Sequence, residues 1–323
     1  MSWNQNSSYG SALFHNLSSQ LGVFGNVLVV VSSSDSTSHT QHLRELMTGD
    51  FDGKVRFFAT VAAAYDAAES NNNDVILLDG QSVHTVTEML TVAKNRVHFV
   101  GMDGGNRLSY QGARIYMGVT GVATDLAPVL VTGNRNTFRN IKFENASTTN
   151  QSLYGFIDNG EGTFIENCSF VKTAGLNDAN HAHFWMAGDS LNMKNVVIGQ
   201  SNVPSSAAGF GILIDGKTGG GTDGTVKENF LENIYVNMSV ANGVVATSCF
   251  VKVADDAALN FSNTIKDLHC TNFQPVGAAA LTNAVLCPTG ITAGTLSIVG
   301  LPSFVGCTGV ADATVSGIYT ASP

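Results

Sequence analysis

Along the middle of the chain one short alternation of apolar and polar positions returns five times. The copies are Phe138-Arg-Asn140-Ile141-Lys-Phe143, Ile165-Glu-Asn167-Cys168-Ser-Phe170, Met193-Lys-Asn195-Val196-Val-Ile198, Leu231-Glu-Asn233-Ile234-Tyr-Val236 and Ile265-Lys-Asp267-Leu268-His-Cys270. Each reads apolar, charged, Asn or Asp, apolar, any, apolar, and the polar centres are 27, 28, 38 and 34 residues apart. A turn of chain repeated at such a step, with insertions in the longer turns, predicts stacked coils. Within each copy the residues one and three after the polar centre share a face, so Ile141 with Phe143, Cys168 with Phe170 and Val196 with Ile198 are expected to point inward. The centre itself suits a corner, because Asn and Asp tolerate left-handed backbone and an amide can bond its equivalent one coil away. Asn140, Asn167, Asn195, Asn233 and Asp267 are therefore expected to form a ladder.

Before the coils, Phe58, Val61, Tyr65 and Ala68 fall at helical spacing, and Asn71 to Asp74 end the pattern, which predicts a capping helix near 58–70. Strands separated by glycine-containing corners follow, in Val75 to Leu78 and Val97 to Val100. Residues 1–53 read as an N-terminal arm or attachment segment, rich in Ser, Asn, His and Thr around one apolar run, Val27 to Val31. The alternative for that run is an extra first strand of the same body. The parallel coil is assigned to 54–273, where the phrase stops, and 274–323 to a C-terminal cap or oligomerisation segment with a strand at Leu296 to Ile298.

Composition supports one elongated body. Of 323 residues 44% are hydrophobic and only 13% charged, against roughly 25% charged in ordinary domains, so Asn, Ser, Thr and Gly must cover the surface. Gly is frequent (34) and Pro scarce (6), as tight turns between short strands require. The net charge of −9, without a Lys/Arg cluster, argues against nucleic acid and anionic membranes as partners. The opening residues lack a basic region followed by an apolar run, and no stretch approaches the roughly 18 apolar residues of a membrane span. Cys168, Cys249, Cys270, Cys287 and Cys307 are odd in number and lack CxxC spacing, so neither a disulfide framework nor a zinc site is expected.

The entry helix, the Asp74 to Gly80 strand and turn, the Arg96 to Gly101 coil and the Asn ladder resemble the pectin-lyase-like superfamily of right-handed parallel β-helix proteins. The resemblance implies an all-β solenoid over about 55–273. It leaves function open, since that fold serves lyases, hydrolases, tailspikes and inert virion components. The opening to about residue 115 is also similar to proteins encoded among tailed-phage virion genes, through Val23 to Val30, Lys54 to Phe57, Asn73 to Leu78, Lys94 to Phe99 and Gly101 to Gly105. That likeness implies a structural virion protein, capsid-decorating or otherwise on the particle surface, made in the host cytoplasm. It would contact the capsid shell and other virion proteins through the arm and self-associate, as a homotrimer or other homo-oligomer. The alternatives are a tailspike-like protein that binds or cleaves glycan, and a bacterial surface or filament subunit.

Candidate chemistry is sparse. Polygalacturonase-like relatives use paired carboxylates with Gly-His-Gly and Arg-Ile-Lys; only Asp255-Asp256 matches, in an insertion. Arg139 is the single Arg between 138 and 273, which weakens a lyase reading. His181-Ala-His183-Phe-Trp185 puts two imidazoles and an indole on one strand, flanked by Asp178 and Asp189. It reads first as an interface or satisfied surface, then as an aromatic surface for a sugar ring, and least as a metal pair. Asp158, Glu161 and Glu166 form the closest carboxylate grouping along the chain, and Gly209 to Asp215 is a strand entering a turn rather than a phosphate loop. His181, His183, Trp185, Asp189 and Asp215 are the candidate glycan or interface residues. No catalytic residue, metal ligand or cofactor is assigned.

Overall fold

The computed structural model describes residues 25–31, 57–102, 111–118, 126–148, 152–202, 204–216, 226–254, 258–273, 280–287, 294–311 and 318–320. These residues wind into a right-handed parallel β-helix with three faces. Every strand pairing between coils is parallel, and parallel crossovers between twisted strands take the right-handed path.

The first face stacks Val75–Leu78, His98–Gly101, Thr137–Arg139, Phe164–Glu166, the leading halves of Asn192–Gly199, Phe230–Met238 and Leu259–Asn272, then Gly294–Val299 and Ile318–Thr320. The second stacks Val83–Val86, Arg114–Met117, Lys142–Asn145, Ser169–Lys172, the trailing halves of the same long strands and Ser303–Val305. The third runs from Leu90–Val92 through Val129–Val131, Ile157–Asp158, His181–Met186, Gly209–Ile214, Cys249–Val253 and Leu281–Leu286 to Cys307–Ala311.

Between the first and second faces lies the ladder corner. Asn140, Asn167, Asn195, Asn233 and Asp267 hold φ of 57, 53, 53, 55 and 53°, the left-handed region where Asn and Asp are least penalised. Asn140 N–H donates to Glu166 O and Asn167 N–H to Lys194 O, each at 3.1 Å, so successive corners sit one over another. Gly300, at φ 85°, continues the column, and Leu301 N–H donates to Asp267 Oδ1 at 3.0 Å.

Inside, the register builds apolar columns. Phe99, Phe138, Ile165, Met193, Leu231, Ile265 and Ile298 lie over one another on the first face, all buried. Ile115, Phe143, Phe170, Ile198, Val236 and Cys270 do so on the second. Phe156 ties the faces together, with ring centroids 4.7 Å from Phe143 and 4.8 Å from Phe170.

Helix α1, Val61–Ala67, covers the N-terminal end of this core with Val61, Ala64 and Tyr65. Thr60 Oγ1 accepts from Ala63 N–H at 3.2 Å and starts the helix. The Lys94 ammonium ends it, donating to the carbonyls of Tyr65, Asp66 and Ala68 at 2.7, 2.9 and 2.8 Å, where carbonyls left over at a helix C-terminus favour a cation.

Two boundaries need correction. Val27–Val30 is not part of a free arm: it pairs parallel with both Val75–Leu78 and Phe57–Phe58 and so forms an outer strand of the first face. Asp74 pins it, accepting from Asn26 N–H and Glu69 N–H at 2.6 Å and from Asn72 Nδ2 at 2.7 Å. Residues 1–24 and 32–53 of the proposed segment lie outside the described residues. Likewise the coil does not stop at 273, since strands through Ile318–Thr320 pair in all three faces.

Candidate surface on the third face

Strands of the third face are apolar on both sides. His181–Met186 and Gly209–Ile214 are buried at every position. Their inner side chains Phe184, Met186, Ile212 and Ile214 join the central core, whereas Ile157, Trp185, Phe210 and Leu213 gather in a second cluster with Ala182 and Cys249. There the Trp185 indole packs 4.5 Å from the Tyr154 ring and donates Nε1–H to Asp215 O at 2.8 Å. Burial, reinforced by the Asp215 charge, pushes the Tyr154 hydroxyl up to about 12, so it stays a neutral donor.

Beside this cluster opens a cleft of about 350 Å³ lined by Asn180, Ala208, Phe210, Ala246, Thr247, Lys252, Leu286 and Cys287. The Lys252 ammonium stands 5.9 Å from the Phe210 ring centroid. Its walls thus combine a ring and aliphatic carbons with an amide, a hydroxyl and one cation. A carboxylate is not among the lining side chains. A second groove, about 320 Å³, runs over the second face between Lys142, Ser169, Thr173, Gln200, Asn202 and Asn237.

The period-two spacing of His181, His183 and Trp185 predicts one shared strand face, but the histidines do not share an outer face with Trp185. His183 accepts Lys172 N–H on Nδ1 at 3.0 Å, while His181 bonds Asp178 O through Nδ1 at 2.8 Å and Ser205 Oγ through Nε2 at 3.2 Å. Both are turned into the corner between the second and third faces, where alternation gives way to a loop and the rings satisfy its backbone. Burial, then the neighbouring His181 and Lys172 charges, pushes His183 down to about 3. Burial also lowers His181 and takes Lys172 to about 8, so this corner disfavours positive charge.

The carboxylates are dispersed. Asp189 pairs with Lys227 at 3.4 Å, and Glu166 with Arg139 at 3.1 Å. Asp158 is fully buried, although alternation along a coil strand ordinarily turns charged side chains outward. Its Oδ1 accepts from Thr163 Oγ1 at 2.8 Å, and burial raises it to about 7. Glu161 sits on the corner leading into the first face. Neither of the two clefts above is lined by Trp185 or by any of these acids, and Asp255-Asp256 lies outside the described residues. Also among the described residues, no three His, Cys, Asp or Glu side chains gather for a metal ion, and no helix is long and apolar enough to cross a membrane.

Sequence reasoning missed Tyr154, Phe210, Lys252 and Thr247, because they come together from different coils. It also missed an inner amide column. Asn229 Oδ1 accepts Leu191 N–H at 2.7 Å, Asn229 Nδ2 donates to Asn263 Oδ1 at 2.9 Å, and Asn136 Oδ1 accepts Val97 N–H at 2.9 Å. A signal existed: Asn136, Asn229 and Asn263 each stand four residues before a ladder residue.

No family model and no curated protein matches the chain. Solved structures with a similar course include the pectin methylesterase from Aspergillus niger, at 13% identity and TM-score 0.45 over 93% of this chain and 92% of that one. PemA, the pectin methylesterase from Erwinia chrysanthemi, is 11% identical at TM-score 0.42 over 93% and 94%. Tailspike protein 2 of the Escherichia coli O157:H7 bacteriophage CAB120 is 10% identical at TM-score 0.35, over 88% of this chain and 39% of that chain. With every TM-score below 0.5, the fold assignment stands on the parallel register and three faces described above.

Proposed function

We propose that this chain is a rigid β-helical binding protein that holds a saccharide against its third face and does not cleave it. The cleft between Phe210 and Lys252 carries the reading, because a ring and aliphatic wall can take the C–H face of a sugar while Asn180, Thr247 and Lys252 serve its hydroxyls. Hydrolysis by a carboxylate pair needs the two groups about 5 to 9 Å apart across the substrate. Asp158, Glu166 and Asp189 are instead engaged by Thr163, Arg139 and Lys227. The test is retention on immobilised bacterial polysaccharides. Wild-type protein should be retained by at least one, Phe210→Ala and Lys252→Ala should each weaken retention, and equal retention of all three proteins would reject the cleft.

A second reading, a subunit of a phage particle that self-associates, is favoured by the far end of the stack. Phe261, Leu301 and Val305 are 61, 67 and 54% exposed there, apolar area that a neighbouring copy would remove from water. On this reading the protein sits at a virion surface and contacts the shell. Light scattering of the purified protein tests it: an oligomer that Leu301→Ser with Val305→Ser dissociates supports it, and a monomer at micromolar concentration counts against it.

A further inference from the structure

We infer that the corner leading from the third face into the first carries an oxyanion-binding site, built by Arg96 and Arg135 on successive coils. The two arginines line a cleft of about 160 Å³ together with Asn71, Asn95, Asn134 and Glu161. They occupy the same rung of the corner, with φ of 55 and 58°, and the coil closes through Arg96 N–H to Asn134 O at 2.9 Å and Arg135 N–H to Glu161 O at 2.8 Å. Stacked strands lie about 4.8 Å apart, so the side chains leave the backbone at a separation that lets both guanidiniums reach one carboxylate or phosphate group. Each guanidinium offers a planar fork of donors, the geometry suited to such oxygens.

The amides are already oriented. Asn95 Oδ1 accepts Asn134 N–H at 2.8 Å and Asn134 Oδ1 accepts Glu161 N–H at 3.3 Å. Each amide spends its oxygen on the next coil, which leaves the Nδ2 end as the one facing a ligand. The cleft is therefore rich in donors, with Glu161 as its single acidic group. The chain as a whole carries −9, but screening over about 8 Å at physiological salt leaves local charge to decide affinity. With two cations against one carboxylate, the local balance favours an anion. Glu161 sets its strength: removing that charge should tighten binding.

This inference does not depend on the third-face saccharide reading, and Phe210→Ala should leave it unchanged. Calorimetric titration of the whole protein with inorganic phosphate, glucuronate and uncharged glucose tests it. Phosphate or glucuronate should bind more weakly as salt rises, and any binding of glucose, which belongs to the third face, should be unmoved by Arg96→Asn or Arg135→Asn. Phosphate alone would identify a phosphate group as the ligand, and glucuronate alone an acidic sugar. Arg96→Asn and Arg135→Asn, chosen because Asn tolerates the left-handed backbone, should each cost roughly tenfold or more in affinity. Should either variant fold poorly, Glu161→Gln provides the second readout by tightening binding severalfold. Failure of both anions to bind, or affinities unmoved by all three substitutions, would overturn the inference.

Discussion

Asn233 donates its side-chain amide to Asn195 Oδ1 at 2.7 Å, one coil away, and both residues hold left-handed backbone. Two requirements of the corner meet in one residue type: positive φ and an amide that bonds its own kind. Asn233→Ala should lose both, costing about 2 kcal/mol. Asn233→Gly should keep the backbone and lose about 1 kcal/mol. Urea unfolding of the two variants separates these parts, and equal costs would assign the whole effect to the side-chain bond.

Phe156→Ala should be among the most damaging single changes. Its ring touches those of Phe138, Phe143, Phe170 and Phe184 with centroids at 5.3, 4.7, 4.8 and 5.9 Å. Emptying the junction of the faces should cost about 3 to 5 kcal/mol. Thermal unfolding measures it, and a cost below about 1 kcal/mol would place Phe156 outside the core.

Asp158 makes stability depend on pH. Its folded pKa of about 7 lies above the ordinary carboxyl value of 3.8, so the unfolded chain ionises first as pH rises. The stability associated with the neutral group is whole below about pH 4, falls between about 4 and 7 by up to about 1.4 kcal/mol per pH unit, and then levels. Asp158→Asn should flatten this slope. Unfolding curves at pH 4, 5.5 and 7.5 test it, and parallel profiles for variant and wild type would show the group to be normally ionised.

Thiol reactivity should follow burial. Burial raises Cys168 and Cys249 to about 12, and Cys270 and Cys287 are buried as well, whereas Cys307 is partly exposed. A thiolate-trapping reagent should label Cys307 first in the native protein and all five after unfolding. Early labelling of Cys168 would mean that the coil opens locally.

The coil, the capping helix and the ladder were legible because each imposes a local rule on the sequence. Asn, or once Asp, at a left-handed corner between inward apolar residues is readable five times over. The rule lapses where another residue meets the same need. Gly300 takes the corner as readily as Asn, so the phrase vanishes after 273 while the winding goes on. Val27–Val30 has no companion phrase, and only its pairings with Val75–Leu78 and Phe57–Phe58 place it.

Charge order along the first face was present but unread. Arg139, Glu166, Lys194, Glu232 and Lys266 alternate in sign on successive coils, with Arg139 to Glu166 at 3.1 Å and Lys266 to Glu232 at 2.6 Å. The third-face surface was the least legible. Its strands are apolar on both sides, so periodicity could not tell Trp185, in the outer cluster, from His183, in the corner.

The most direct test of the functional account is incubation of the purified protein with a bacterial polysaccharide that retains it, followed by assay for new sugar ends. The account predicts a stable complex and no increase in reducing or unsaturated ends over a buffer control. Steady release of either would contradict it and make this coil an enzyme.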